Sequence, residues 1–366
     1  MSDAAAEPPQ PLDVRHTGGF DTFWPLVLKN ALLTILTLTF YRFWARTHIR
    51  RTLWRHTRFM DEPFEYTGTG KELFLGFLLV LFVFILPVVL LQIVVSLLSD
   101  TAGSNQFLDG IIGIVILFLV GFAGYRAQRY RLSRTLWRGI RGSMDGSAAL
   151  YGLLYLGFTI LNAVTLGLTY PISRFALFKI RVADITIGDG SPRVTGSFGA
   201  LYPRFLIAWL LVILLFGGAL ALFFMLVMSS VGESVQEMTV QTYLAALFSK
   251  TVLLILVPVL LVFYLILSFY RAREFGWMAS CVQYQGLRFA LETSTASLFG
   301  LLFGNFLITI ATLGLGYAFA QLRAARYFCR RLAVTGSLDV EAIRQSAAKQ
   351  PAIGEGLADA FDLGAV

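Results

Sequence analysis

The chain is 366 residues long, 57% of them hydrophobic and only 14% charged, against about 25% charged in an ordinary soluble domain. Its 30 basic and 22 acidic side chains, net +8, cannot cover a water-soluble surface of this size, and the mean hydropathy of +0.70 agrees. A soluble fold is excluded, and because nearly all the arginines flank apolar blocks, the excess positive charge reads as membrane-facing loops and not as a nucleic-acid surface.

In chain order, residues 1–22 form a polar tail without a basic run before an apolar stretch, so no cleavable signal peptide is expected. Residues 23–72 are the first of three similar units: an apolar block (Phe23 to Tyr41), a basic aromatic helix and a β-like run (Thr57 to Tyr66). Residues 73–125 make a transmembrane hairpin from the blocks Leu73 to Leu98 and Phe107 to Tyr125, each close to the ~20 residues that cross about 30 Å of hydrocarbon. A basic linker, 126–149, leads to the second unit, 150–204, with the apolar block Leu150 to Tyr170 and a β-like run Val182 to Val194 turning at Asp189-Gly190. The second hairpin, 205–270, holds the blocks Phe205 to Met228 and Leu247 to Tyr270. A β-like linker, 271–297, precedes the third unit, 298–340 (apolar block Leu298 to Tyr317, β-like run Leu332 to Val340), and a flexible tail, 341–366. The fold class expected is an all-α polytopic membrane protein with internal repeats, small cytoplasmic β elements and four transmembrane helices.

The three apolar blocks of the repeated units end alike, in Thr37-Leu38, Thr165-Leu166 and Thr312-Leu313, each followed within five residues by a Tyr. Asn30 and Asn305 lie seven residues before that Thr, and Asn162 is displaced toward it. The connectors Ser99 to Gly110 and Ser229 to Tyr243 carry acids but neither Lys nor Arg, so the positive-inside rule puts them outside and the basic segments in the cytoplasm. If all seven blocks crossed, Leu150 to Tyr170 would separate two basic loops. Either the three repeated blocks re-enter the membrane, or the rule is locally broken, giving four to seven spans.

Lys29, Asn30, Asn162 and Asn305 are the polar groups of the repeated apolar blocks and the candidates for contact with a passing substrate. Basic residues at helical spacings of three and four, interleaved with aromatics, form candidate contacts for anionic phospholipid head groups at the cytoplasmic face: Arg42, Arg46, Arg50, Arg126, Arg134, Arg138, Arg323, Arg326 and Arg330. Two of these stretches share the string Arg-Thr-Leu-Trp-Arg, at 51–55 and 134–138, and both read as cytoplasmic extensions of membrane helices. His16, His48 and His56 lack metal-ligand spacing, and Cys281 and Cys329 have no catalytic partner; no enzyme, metal or cofactor is expected. The glycine-rich Tyr66 to Glu72 fails as a phosphate loop because Glu72 follows Lys71. Without a carboxylate deep in the four strong spans, proton-driven transport is disfavoured.

The order of apolar block, basic aromatic helix and β-like run at Tyr41 to Phe74, ending in Phe64-Glu65-Tyr66-Thr67-Gly68-Thr69-Gly70, resembles the YjgN-like family of bacterial inner-membrane proteins. The resemblance implies a polytopic inner-membrane protein of unestablished function and supplies no site residues. The sequence departs from the pattern at Met60-Asp61-Glu62, where an Asp-Gly-like turn is expected. Two functions remain open: passage of a hydrophobic or amphipathic compound, or a non-transporting scaffold or sensor that binds anionic lipid or a partner protein.

Overall fold

The computed structural model describes residues 12–98, 102–231 and 250–338. After β1 (Val14–His16) come α1 (Phe20–Leu36), α2 (Arg42–His56), β2 (Thr57–Phe59), β3 (Glu62–Tyr66) and α3 (Gly70–Val80). One π-helical turn, Leu81–Ile85, carries α3 into α4 (Leu86–Leu98). Next are α5 (Ala102–Ser133), β4 (Thr135–Trp137), β5 (Ile140–Met144), α6 (Ala148–Val164), α7 (Tyr170–Ala183), β6 (Ile185–Ile187) and β7 (Arg193–Val194). The chain then forms α8 (Tyr202–Val231), α9 (Lys250–Ser280), β8 (Val282–Tyr284), β9 (Leu287–Leu291), α10 (Thr295–Ala311), α11 (Tyr317–Arg331) and β10 (Leu332–Thr335).

Among the described residues, four helical stretches are long and apolar enough to cross a membrane: Gly70–Leu97, Leu108–Ser133, Phe198–Met225 and Leu254–Ser280. Protein covers at most 17% of the most apolar part of any of them, which leaves their side chains to lipid. They coincide with the four expected blocks but run further, so that Arg126 to Arg131 and Arg271 to Met278 continue the helices past their apolar cores. Leu247 to Ser249, and parts of both connectors expected outside, lie beyond the described residues.

The repeated apolar blocks form helices of 17 residues each, α1, α6 and α10, or about 26 Å at 1.5 Å per residue. All three close in one kind of turn. The amides of Thr39, Gly167 and Gly314 reach back to the carbonyls of Thr34, Asn162 and Thr309 at 2.7, 2.6 and 2.7 Å. The two residues that bend the chain have left-handed backbone each time: Leu38 and Thr39, Leu166 and Gly167, Leu313 and Gly314. The Thr of the shared ending bonds the carbonyl four residues before it, as Thr37 does to Leu33, Thr165 to Leu161 and Thr312 to Ile308. The Leu at each tip is 81%, 78% and 92% exposed. Past the turn the basic helix packs back along its apolar partner, α2 on α1, α7 on α6 and α11 on α10.

Two expectations for local structure are corrected. Val182 and Ala183 belong to the last turn of α7, and the β run begins only at Ile185; the alternating pattern had included the end of a helix. The two Arg-Thr-Leu-Trp-Arg strings adopt different structures. The first lies within α2, but the second leaves α5 at Arg134 and becomes β4, turning at Arg138 and Gly139, both left-handed. Gly139 takes the left-handed conformation at no steric cost, whereas His56 and Thr57 follow the first string. Met60 and Asp61 make the first hairpin turn without any glycine, both left-handed. They are held from β1, where the Asp13 carbonyl accepts from the Met60 amide at 3.0 Å and Arg15 pairs with the Asp61 carboxylate. In the glycine-rich segment, a Cβ on Gly70 would lie 2.8 Å from Trp44 Cα and one on Gly68 2.6 Å from the Tyr66 ring, so these glycines let α3 start against α2.

The strands form two small antiparallel sheets, β1 to β6 and β7 to β10, each paired in sequence order. A single bridge pairs Leu12, just before β1, with Val334 in β10, and another, Ile187 to Gly190, closes the turn after β6. The two sheets share one core. Tyr284, Leu287 and Val334 fill it together with Phe59, Ile187 and Phe289, and Tyr284 Oη donates across it to the Ile187 carbonyl at 2.7 Å.

Candidate functional site

Where α2, α5, α7 and α11 converge on β3, they leave a chamber of about 730 Å³. Its walls are mainly apolar, with the aromatic rings of Phe64, Trp54, Phe178 and Phe328 among them, and two cations, Arg131 and Arg181, face it. A second cavity, a cleft of about 420 Å³, runs between α5, α6 and α7, lined by Gly121, Tyr155, Asn162, Ser173, Arg174 and again Arg181. Arg181 thus forms a wall shared by both cavities.

Helix α7 positions this arginine. Phe178 and Arg181 are three residues apart and face the chamber, while Arg174, Leu177 and Arg181 follow the cleft at spacings of three and four. Arg174 has an anionic partner that it shares: its Nε donates to Glu274 Oε1 at 3.2 Å, and Arg271 Nη1 donates to Glu274 Oε2 at 2.9 Å. Glu274 is completely buried. Arg181 differs. Its guanidinium lies 5.9 Å from the Tyr151 ring, its Nε is buried without a hydrogen bond, and among the described residues no carboxylate pairs with it. Burial is the main cause that lowers its pKa; Tyr151 opposes the shift and the charge of Arg174 adds to it. Asp184, one turn further on, accepts from Tyr125 Oη at 2.7 Å.

The three asparagines do not share a cavity. Each ties an apolar helix to the segment after it. Asn305 Nδ2 donates to the Ala320 carbonyl at 3.3 Å and its Oδ1 accepts from Arg323 Nη1 at 3.1 Å. Asn162 Nδ2 donates to Ser173 Oγ and its Oδ1 accepts from Thr169; this asparagine lines the cleft. Asn30 Nδ2 points at the Ala45 carbonyl at 3.5 Å, leaving its buried Oδ1 without a partner, and it lines a separate pocket of about 260 Å³ with Arg42 and Arg46. Lys29 is exposed.

The candidate head-group arginines also divide. Arg50 is buried, with its Nη1 3.4 Å from the Tyr66 hydroxyl, and Arg134 pairs with Glu72 at 3.0 Å. Arg323 and Arg326 donate to the Gly300 and Gly18 carbonyls, and Arg126 lies over the Phe122 ring. Arg138, at a hairpin tip, and Arg330 are exposed. Sequence reasoning did not single out Arg181 or Glu274. A signal for the latter existed: Tyr-Arg-Ala occurs at both 125–127 and 270–272, and the acid three residues after Arg271 is on the same helix face.

Four lipid-exposed helices, three shorter apolar helices and two small sheets on a shared core define a mainly helical, multi-pass integral membrane protein with cavities between its helices. The chain belongs to the family described as "Bacterial protein of unknown function (DUF898)", whose model matches residues 11–360. Its relatives include the inner membrane protein YjgN of Salmonella typhimurium, 25% identical over 179 residues covering 45% of this chain and 43% of that protein. YjgN of Escherichia coli K12 is 23% identical over 156 residues, 43% of this chain and 37% of the relative. The matches thus span less than half the length of these relatives. No solved structure matches the chain. The helices and the relatives together make it a multi-pass protein of the bacterial inner membrane.

Proposed function

We propose that the protein gives passage to an amphipathic small molecule or lipid. The observation that carries this reading is the shared wall at Arg181, which lines both the cleft between α5, α6 and α7 and the chamber at the helix ends; in this reading the two cavities form one route. A non-transporting scaffold or sensor has no use for such a route, whereas transport sites lie where discontinuous apolar helices meet. In this reading α1, α6 and α10, with the turns and basic helices that come after them, are copies of one repeated unit. They re-enter the bilayer without crossing it, because about 26 Å of helix falls short of ~30 Å of hydrocarbon and each Leu tip is apolar and exposed. The basic helices and the two sheets are then cytoplasmic, and Arg138 and Arg330 face anionic phospholipid. The role is passage and not catalysis.

The test is movement of a fluorescent lysophosphatidylglycerol between leaflets of vesicles holding the purified protein, with Thr159→Trp to fill the cleft. Faster movement than in protein-free vesicles, abolished by the variant, is expected. Equal rates with and without protein overturn the reading. For the topology, a cysteine at the exposed Ser191 is expected to be labelled only from the cytoplasmic side, and labelling from outside the cell sinks the re-entrant arrangement.

A further inference from the structure

The chamber and cleft can be read for the ligand they hold as well as for where they lead. The arginines around them are mostly satisfied by the protein itself: Arg174 by Glu274, Arg134 by Glu72, Arg323 by Asn305 and Arg326 by the Gly18 carbonyl. Arg181 is the exception at the junction. Arg131 adds positive charge in the chamber wall, while Asp184 accepts a hydrogen bond from Tyr125. A partly buried guanidinium whose Nε is shielded without a hydrogen bond is costly in the absence of an anion, and a ligand that brings the charge relieves the deficit. On the chamber side the same residue is bordered by Phe64, Phe178, Phe328 and Trp54, a surface for a hydrocarbon chain, and about 730 Å³ is the size of a small-molecule site.

We propose that Arg181 binds the anionic head group of a single-chain amphiphile whose apolar chain lies in the aromatic chamber. This rests on reading the two cavities as one ligand route, and it names the class of ligand. The shared chemistry is one oxyanion on one alkyl chain, which either a fatty acid or a lysophospholipid provides.

Trp54 in the chamber wall gives the readout. Dibromostearate is titrated into the full-length protein in lipid nanodiscs and quenching of tryptophan fluorescence is followed, with dibromostearoyl lysophosphatidylglycerol, neutral methyl dibromostearate and inorganic phosphate in parallel. Saturable quenching by at least one of the two anionic amphiphiles is expected, absent in Trp54→Phe, with the tighter of the two naming the source of the head group. Arg181→Gln is expected to weaken that binding about tenfold or more, as loss of a charge-assisted contact does, and Arg181→Lys to retain most of it. Methyl dibromostearate is expected to bind weakly and indifferently to Arg181→Gln, and phosphate without a chain not to compete. The proposal is overturned if the methyl ester binds wild-type protein as tightly as the anions, or if Arg181→Gln binds them unchanged. Should Arg181→Gln not fold, the ester comparison in wild-type protein and Arg181→Lys still decide. Because binding is read at equilibrium, failed lipid movement with Arg181-dependent binding overturns passage alone, and movement without Arg181-dependent binding overturns this inference alone.

Discussion

Gly121 and Tyr155 touch so closely that a Cβ added at Gly121 would lie 2.5 Å from Tyr155 Cβ. This contact sets the spacing of α5 and α6 and with it the width of the cleft. Gly121→Val is expected to cost about 2–3 kcal/mol, since neither backbone can withdraw without repacking. Gly157→Ala, on the same pair of helices but with open space around its Cβ, should instead gain up to about 1 kcal/mol from helix propensity. Thermal unfolding of both variants in detergent checks the pair, and equal effects would show that the close approach is not what holds these helices.

Thr39 occupies a left-handed position, φ +75°, that the other two turns give to Gly167 and Gly314, both at φ +85°. A β-branched side chain is strained there, so Thr39→Gly is expected to stabilise by about 1 kcal/mol. Gly314→Thr should destabilise by about 1–2 kcal/mol. The measurement is the shift in melting temperature, and a loss of stability in Thr39→Gly would contradict the strain.

Removing the Glu274 carboxylate strands two arginines whose side chains are only 25% and 16% exposed. Glu274→Gln should therefore cost about 3 kcal/mol. Glu72→Gln breaks a wetter pair with Arg134, 32% and 21% exposed, for about 1 kcal/mol. Chemical denaturation of the two variants gives the comparison, and the ranking is the prediction.

His16 packs against the rings of Phe23 and His56. Burial first, then the charges of His56 and Arg326, push its pKa from the usual 6.5 down to about 4. The folded protein thus keeps His16 neutral where the unfolded chain takes up a proton. Its contribution is complete above pH 6.5 and is lost as the pH falls from 6.5 through 4. At this partly solvated site the amount is on the order of 1 kcal/mol. The drop in melting temperature between pH 7.5 and 5 is expected to be smaller in His16→Asn, and an equal drop would assign the acid sensitivity to other groups.

The four long spans are legible in the sequence because about 20 successive apolar residues leave few alternatives, and the shared Thr-Leu endings point to three turns that indeed have one geometry. The second Arg-Thr-Leu-Trp-Arg string misleads because five residues do not carry their own structure, and the glycine after them decides it. The asparagines are visible as polar residues in apolar blocks, yet their role as ties to the next helix depends on how the turn folds the chain back. Arg181 is hidden for a different reason. As a residue of a basic helix it looks like its neighbours, and only the convergence of four helices shows it standing partly buried between two cavities while the carboxylate nearest in sequence, Asp184, accepts from a tyrosine.

The bridge between Leu12 and Val334 has a consequence for biogenesis. Leu12 precedes all four membrane spans in the chain, but its partner across the bridge is made only after them. Until then the sheet keeps an open edge, able to pair with any extended chain nearby. Pairing at this bridge is thus a late event that ties a segment made before the spans to one made after them.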